Sequence, residues 1–291
     1  ILEEIQMYLD QPPYGADDNV KQLCFGEHPI ARSVLGTEQS VSGLTPEAMR
    51  GYFERMYGPA TVTIAAAGRV DFDDLVAQVT ESCGKWAKTE DARKPCAAAV
   101  SDLRRVQLQD SATQQYVLQL TSGPDAGDPD RFAAKLLTMA VGDDSGSRLY
   151  WDLVDPGHVE SASIGHYEYH DVGMFYTWMS CSPEDVEPNL ARLHQALRTV
   201  QAEGITQEEL DRARSKVKSR VVIGNERPQS RMFSVGVNWV HRREYRNAQQ
   251  DLNDLDAITL ADVRRVLDRF PLTSGAILSV GPREKVAWPD D

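Results

Sequence analysis

Long apolar runs are missing from this 291-residue chain, and none approaches the roughly 20 residues a helix needs to span a bilayer. No signal-peptide pattern opens it. Cysteine is scarce: Cys24, Cys83, Cys96 and Cys181 lie far apart with no C-x-x-C pair. That spacing fits neither a structural zinc module nor a dense disulfide framework. Reduced thiols in the cytoplasm are the expectation, with the periplasm left open. Positive charge is also short. The chain has 31 Lys and Arg against 44 Asp and Glu, a net charge of −13 and a pI near 5.0. This argues against nucleic acid or an anionic membrane as the main partner. The acidity is spread along the chain, as expected of a solubilising surface. No G-x-S-x-G elbow occurs, and none of His28, His158, His166, His170, His194 and His241 begins a His-x-x-Glu-His.

What is present describes a soluble, globular chain: 41% hydrophobic, 26% charged, mean hydropathy −0.43, with length for about two domains. The opening ILEEIQMYLD is already in helical stride, with neither an initiator Met nor an N-cap. Ile1, Ile5 and Leu9 recur every four residues, with Leu2 and Tyr8 beside them. Glu3 falls with Gln6 and Asp10 on the polar side, whereas Glu4 borders the apolar stripe. A helix opened at its first turn predicts a chain truncated at its N-terminus.

After the break QPPYGADDN, Asp17 or Asp18 caps a second helix to about Phe25, and the loop GEHPIARSVLGTEQSVSG follows. Thr45 with Pro46 starts a helix carrying Met49, Tyr52, Phe53 and Met56. TVTIAAAG (61–68) predicts a strand, and Asp71 opens a helix through Leu75, Val76 and Val79. The unperiodic stretch KTEDARKPCAAAVSD (88–102) marks a domain boundary. Strands RRVQLQD and QQYVLQL come next. A helix capped by Asp128, with Pro129 at its first position, runs to about Val141. The turn GDDSGS leads to a short helix at SRLYWDLV. Strands near 159–169 and 173–180 form a hairpin. Capping boxes at Ser182/Asp185, Thr206/Glu209 and Thr259/Asp262 start three helices, and AILSVGP closes as a strand. The first unit's tail partly echoes units of the second, the pattern of a divergent tandem repeat.

In GHYEYHDVG, His166, Glu168 and His170 share one face of a strand. The two imidazoles would lie roughly 13 Å apart at ~3.3 Å per residue, too far for one zinc. A polar strand face is the better account. Ser145 and Ser147 sit in a turn whose Asp143 and Asp144 oppose anion binding. The basic run DRARSKVKSR alternates with Ala213, Val217 and Val221, as on a solvated helix face.

From FGEHPIARSV through DFDDLVAQV the chain resembles the inverted-zincin metallopeptidases related to mitochondrial processing peptidase, pitrilysin and insulinase. His28, Pro29, Arg32, Gly36 and Thr37 match a HP-x-x-R-x-x-x-G-T/P loop, and Tyr57 precedes the apolar VTIAAAG as it does in the family. The likeness continues through SRLYWDLV, EGITQEELDRARSKVKS and AITLADVRRVL. The fold it implies is α+β: tandem processing-peptidase-like α/β-sandwich domains, the first incomplete. Residues 1–95 would be the C-terminal part of a metal-site domain, and residues 96–291 a complete second domain that binds no metal.

The resemblance also implies a mechanism. Family members hold zinc with two histidines of His-x-x-Glu-His, whose Glu is the general base, and a third ligand, Glu, within V-I-L-x-E-I. ILEEI matches that segment, with the ligand position at Glu4 rather than Glu3. The histidines and base would lie upstream of residue 1, so no catalytic residue is assigned here. The family's substrate-gripping Arg and Tyr would fall near Val154 and Ser161, so this half resembles the catalytic type and would take that pair from a partner. The implied activity is zinc-dependent endopeptidase cleavage of unfolded peptides in a chamber shared with a second half, a homo- or hetero-dimer, this segment being inactive alone. The alternative is a non-catalytic scaffold or peptide-binding subunit of the same fold.

Overall fold

The computed structural model describes residues 1–10, 13, 15–87, 89, 96 and 98–289. In chain order the elements are α1 (Leu2–Asp10), α2 (Ala16–Phe25), a 3₁₀ turn (Pro29–Ala31), α3 (Glu38–Ser42), α4 (Pro46–Met56) and α5 (Phe72–Cys83). Then come β1 (Arg104–Leu108), β2 (Gln115–Gly123), α6 (Arg131–Gly142), a π-helical turn (Tyr150–Val154), β3 (Ser161–Glu168) and β4 (Gly173–Cys181). A 3₁₀ turn (Pro183–Asp185) leads into α7 (Val186–Glu203), α8 (Gln207–Asn225), α9 (Pro228–Arg242), α10 (Ala248–Ala257), α11 (Leu260–Arg269) and β5 (Ala276–Gly281). No described helix is long and apolar enough to cross a membrane.

The strands form one mixed sheet in the order β1-β5-β2-β4-β3, with β1 parallel to β5 and every other pair antiparallel. The expected α+β class is the one observed. β2 is buried on both faces because both faces are covered. Val117 turns to a core built with Leu136, Leu137 and Leu193 from α6 and α7. Leu118 and Leu120 turn to a second core with Val20, Leu23 and Phe25 of α2. Each large apolar side chain buried this way contributes about 1.5–3 kcal/mol. Two glutamines inside β2 are tied by their amide nitrogens: Gln115 Nε2 donates to Ser279 Oγ at 2.8 Å, and Gln119 Nε2 to the Leu272 carbonyl at 3.2 Å.

Helix α2, placed with the first unit by the sequence reading, thus lies on the sheet built from residues 104–281. It is stitched there by Ser101, whose N–H donates to the Cys24 carbonyl at 2.9 Å and whose Oγ donates to the Leu23 carbonyl at 2.5 Å. Much of the boundary stretch, residues 88, 90–95 and 97, lies outside the described residues, as do residues 11, 12 and 14 of the first break.

Several local expectations are corrected. TVTIAAAG is not a strand: no described strand pairs with it, and Val62 and Ile64 stay exposed, so β-propensity has no ladder to join. The loop after Phe25 contains a 3₁₀ turn and α3, the latter started by a Thr37/Ser40 capping box. α2 is preceded by Gly15 in the left-handed region rather than by an aspartate cap. α6 starts after Asp130, because Asp128 instead accepts the Asp130 N–H at 2.8 Å. Ser182 makes no side-chain cap, its place being taken by a 3₁₀ turn. The boxes at Thr206/Glu209 and Thr259/Asp262 form as expected. So does the β3–β4 hairpin, whose Asp171 takes φ 64°, a conformation Asp tolerates.

Candidate functional site

Helix α1 carries two acidic residues in its first turn, Glu3 and Glu4, where the positive end of the helix dipole favours them. Glu4 is exposed, and no described residue hydrogen-bonds or ion-pairs with its carboxylate. The half-buried Ile5 and Tyr8 turn instead toward a groove of about 650 Å³. Its other walls are Asn19 and Gln22 of α2, Arg32 and Leu35 of the following loop, and Gln107 of β1.

The loop that shapes this groove is built by local hydrogen bonding. His28 Nδ1 accepts the Ile30 N–H at 3.2 Å, while Nε2 lies 2.9 Å from the Cys96 carbonyl. An acceptor at Nδ1 and a carbonyl partner at Nε2 select the neutral Nε2–H tautomer. His28 therefore holds the turn and is not available as a ligand through Nδ1. Gly36 takes φ +77°, where a Cβ would also come within 2.8 Å of Ser40 Oγ. Thr37 Oγ1 accepts the Ser40 N–H at 3.1 Å, and Ser40 Oγ accepts the Thr37 N–H at 2.9 Å. His28, Pro29, Gly36 and Thr37 thus give the loop its shape. Arg32 is exposed into the groove with no described ion pair.

A catalytic zinc site uses three protein ligands at about 2.0–2.3 Å. Among the described residues no three His, Cys, Asp or Glu side chains converge. The described residues do not by themselves fit the metal, so no step through it is assigned. The trio His166, Glu168 and His170 disperses. His166 Nε2 bonds the Pro124 carbonyl at 2.7 Å, and burial holds its pKa below the ordinary value. Glu168 Oε1 lies 4.0 Å from Arg131 Nη1. His170 lies past the end of β3 against Asp171, with its ring 6.1 Å from that of His241. At the places matched to the gripping pair, Val154 packs against the larger core, and Ser161 Oγ accepts from Trp178 Nε1 at 3.1 Å.

The basic run of α8 leaves Arg212 and Arg220 exposed, as expected of a solvated face, but it also makes tertiary ties. Lys216 Nζ and Arg220 Nη2 reach the two carboxylate oxygens of Asp143 at 2.8 and 2.7 Å. Arg214 donates to the Leu255 and Ile258 carbonyls at 3.1 and 2.7 Å. Helical spacing shows which side of α8 carries charge, but not that the loop holding Asp143, 73 residues before Lys216, folds back to meet it.

Comparison with known proteins agrees with this geometry. The model of the Peptidase M16 inactive domain matches residues 43–217, more than half of the chain. An uncharacterised zinc protease of Mycobacterium tuberculosis is 30% identical over 271 residues, which is 91% of this chain and 62% of that protein. The uncharacterised zinc protease YmxG of Bacillus subtilis is 23% identical over 286 residues, 97% of this chain and 69% of the relative. The chain therefore spans under two thirds of the length of the mycobacterial protein. Among solved structures, a peptidase M16 inactive domain from Pseudomonas fluorescens superposes with TM-score 0.85 at 17% identity, covering 98% of this chain and 69% of that one. A chain of Complex III2 from Candida albicans also gives 0.85, at 16% identity, with 97% and 70% covered. On the family match over residues 43–217, the chain belongs to the M16 peptidase family.

Proposed function

We propose that the chain is part of an M16 zinc endopeptidase, in which Glu4 is one metal ligand and the histidines and general base belong to a longer polypeptide preceding Ile1. The substrate would be unfolded peptide, enclosed between this half and a second peptidase-like half. The observation that carries the proposal is the disposition of α1. Glu4 holds an uncommitted carboxylate in solvent while Ile5 and Tyr8, on the adjacent face, turn to the groove. The zinc-protease names of the relatives support the metal. Because three ligands do not converge among the described residues, hydrolysis by residues 1–291 alone is not expected.

A quenched unfolded peptide, assayed with the longer gene product and with residues 1–291, each with added zinc, tests this directly. Turnover by the longer protein alone is expected, and Glu4→Gln in it should remove both bound zinc and turnover. Cleavage by the isolated chain, or unchanged zinc content in the Glu4→Gln protein, would refute it. The second reading is a scaffold or peptide-binding subunit. It is favoured by the fold's likeness to a chain of a multi-subunit complex. On that reading the longer protein would lack His-x-x-Glu-His and bind no zinc.

A further inference from the structure

Several arginines of this protein are matched to carboxylates at short range: Arg148 to Glu209 at 2.5 Å, Arg246 to Asp251 at 2.8 Å, Arg265 to Asp130 at 2.5 Å and Arg269 to Asp128 at 2.7 Å. Arg131 and Arg242 depart from this pattern. Their side chains are each 12% exposed, yet the nearest carboxylates stand at 4.0 Å (Glu168) and 3.8 Å (Glu244), beyond hydrogen-bond reach. No described residue accepts a hydrogen bond from the Arg131 guanidinium, which lies 4.0 Å over the Phe132 ring. Arg242 spends one donor on the Ala126 carbonyl at 2.9 Å, and its buried Nε has no hydrogen-bond partner. Burial of cations without paired anions is costly, so such sites are normally compensated.

Both guanidiniums line one cavity of about 320 Å³ between α6, α8, α9 and α10. Lys135, one turn beyond Arg131, is a third cation on its wall. The acids on the wall leave the excess in place: Asp251 is already held by Arg246, and Glu168 is the carboxylate 4.0 Å away. Burial first, and the Arg242 charge second, hold the Arg131 pKa below its ordinary value, the strain a bound anion would relieve. Phe132, Val221, Val237 and Leu255 give the lining an apolar part, beside the polar Ser234, Asn238 and His241. Pockets of about 300–1,000 Å³ with apolar walls and a few fixed polar groups are the usual form of small-ligand sites.

We propose that this cavity is a binding site for a carboxylate with a short apolar tail, the carboxylate bridging Arg131 and Arg242 and the tail lying along Phe132 and Val237. Paired guanidiniums suit the planar, two-oxygen anion, and the aliphatic wall selects against a bare inorganic ion. The site shares no residue with the groove beside α1 and stands whether or not the chain serves a zinc peptidase. Two sources supply this chemistry: a free organic acid, or the C-terminal residue of a peptide ending in an apolar side chain.

Calorimetric titration of the 291-residue chain with hexanoate, and with hexanamide as the neutral match, is the test. Hexanoate is expected to bind about tenfold or more tightly than hexanamide, the scale of one charge-assisted hydrogen-bonded contact. Arg131→Met, which keeps the apolar stem, should lose that preference. Val237→Trp, which fills the cavity without changing charge, should lose binding of both probes, and it decides the matter if Arg131→Met does not fold by circular dichroism. Pentapeptides ending in Leu, as free acid and as amide, separate the sources. A preference for the free-acid peptide identifies the chain end, and binding of hexanoate alone identifies a free organic acid. Equal affinity for hexanoate and hexanamide, full displacement by equimolar chloride, or wild-type binding in folded Val237→Trp would each overturn the proposal.

Discussion

Arg148 and Glu209 are joined by two parallel hydrogen bonds, Nε to Oε1 at 2.5 Å and Nη2 to Oε2 at 2.7 Å. The pair ties the helical turn after α6 to the first turn of α8. Glu209 also closes the α8 capping box, accepting the Thr206 N–H at 2.6 Å while its own N–H donates to Thr206 Oγ1 at 3.2 Å. One carboxylate thus serves as helix cap and as tertiary tie.

Burial alone would raise the Glu209 pKa, but the Arg148 hydrogen bonds and the Thr206 backbone outweigh it and bring it from 4.5 to about 2. A carboxylate with a depressed folded pKa contributes stability that is full above its unfolded value and is lost as pH falls through the folded one. Urea unfolding followed from pH 5 to pH 2 should therefore show stability declining. Glu209→Gln should decline less steeply over that range and cost about 1.5–3 kcal/mol at pH 7, the scale of a hydrogen bond to a charged group. Identical pH slopes in the two proteins would contradict this.

Asp130 is 2% exposed and accepts from Arg265 Nε at 3.0 Å and from Arg269 Nη1 at 2.6 Å, which fastens the start of α6 to α11. The Arg265 hydrogen bonds are the main cause holding its pKa below the ordinary value. Asp130→Ala should destabilise by about 1.5–3 kcal/mol, the scale of hydrogen bonds to a charged group, since the two arginines it leaves are half exposed to water. Thr259→Ala, which removes only the α11 cap, should cost about 1 kcal/mol. Chemical denaturation of both variants gives the comparison, and an equal loss in the two would count against a tertiary role for Asp130.

Gly142 ends α6 where it crosses β3, and a Cβ there would come within 2.4 Å of the Ile164 backbone nitrogen. Overpacking against backbone has no side chain to yield, so Gly142→Ala should cost about 1–3 kcal/mol or more despite alanine's better helix propensity. A thermal melt at or above that of the wild type would show that the approach is looser than described.

The four free thiols differ in burial: Cys24 and Cys181 are buried, Cys83 is intermediate and Cys96 is exposed. Burial pushes Cys24 up to about 11 and raises Cys181 as well. Because the thiolate is the reactive form, native protein at pH 8 should be alkylated first at Cys96, with Cys24 and Cys181 protected until denaturant is added. Peptide mapping by mass spectrometry reads the order. Early labelling of Cys24 would mean that α2 leaves the sheet readily.

Helix spacing, caps and β-branched alternation were enough to locate α4, α5, β1 to β5 and the α8 and α11 caps, because those signals are local. The errors lie where a local preference depended on a distant neighbour. TVTIAAAG has strand composition but no described partner, and Ser182 has a capping pattern that a 3₁₀ turn replaces. The α1 stripe grouped Ile1, Leu2, Ile5, Tyr8 and Leu9 with Glu4 at its border; Ile5 and Tyr8 line the groove, whereas Ile1 and Leu2 are exposed.

The sequence by itself determined the periodicities, the capped helix starts, the acidic balance and the family likeness, since each resides in the order of neighbouring side chains. Only the tertiary structure decided that α2 covers the sheet face opposite α6, that Asp143 draws together two cations of α8, and that Arg131 and Arg242 share a cavity without a close anion. Those relations join residues tens to more than a hundred positions apart. They depend on how faces pack, and a single chain's local pattern carries no record of which distant face it will meet.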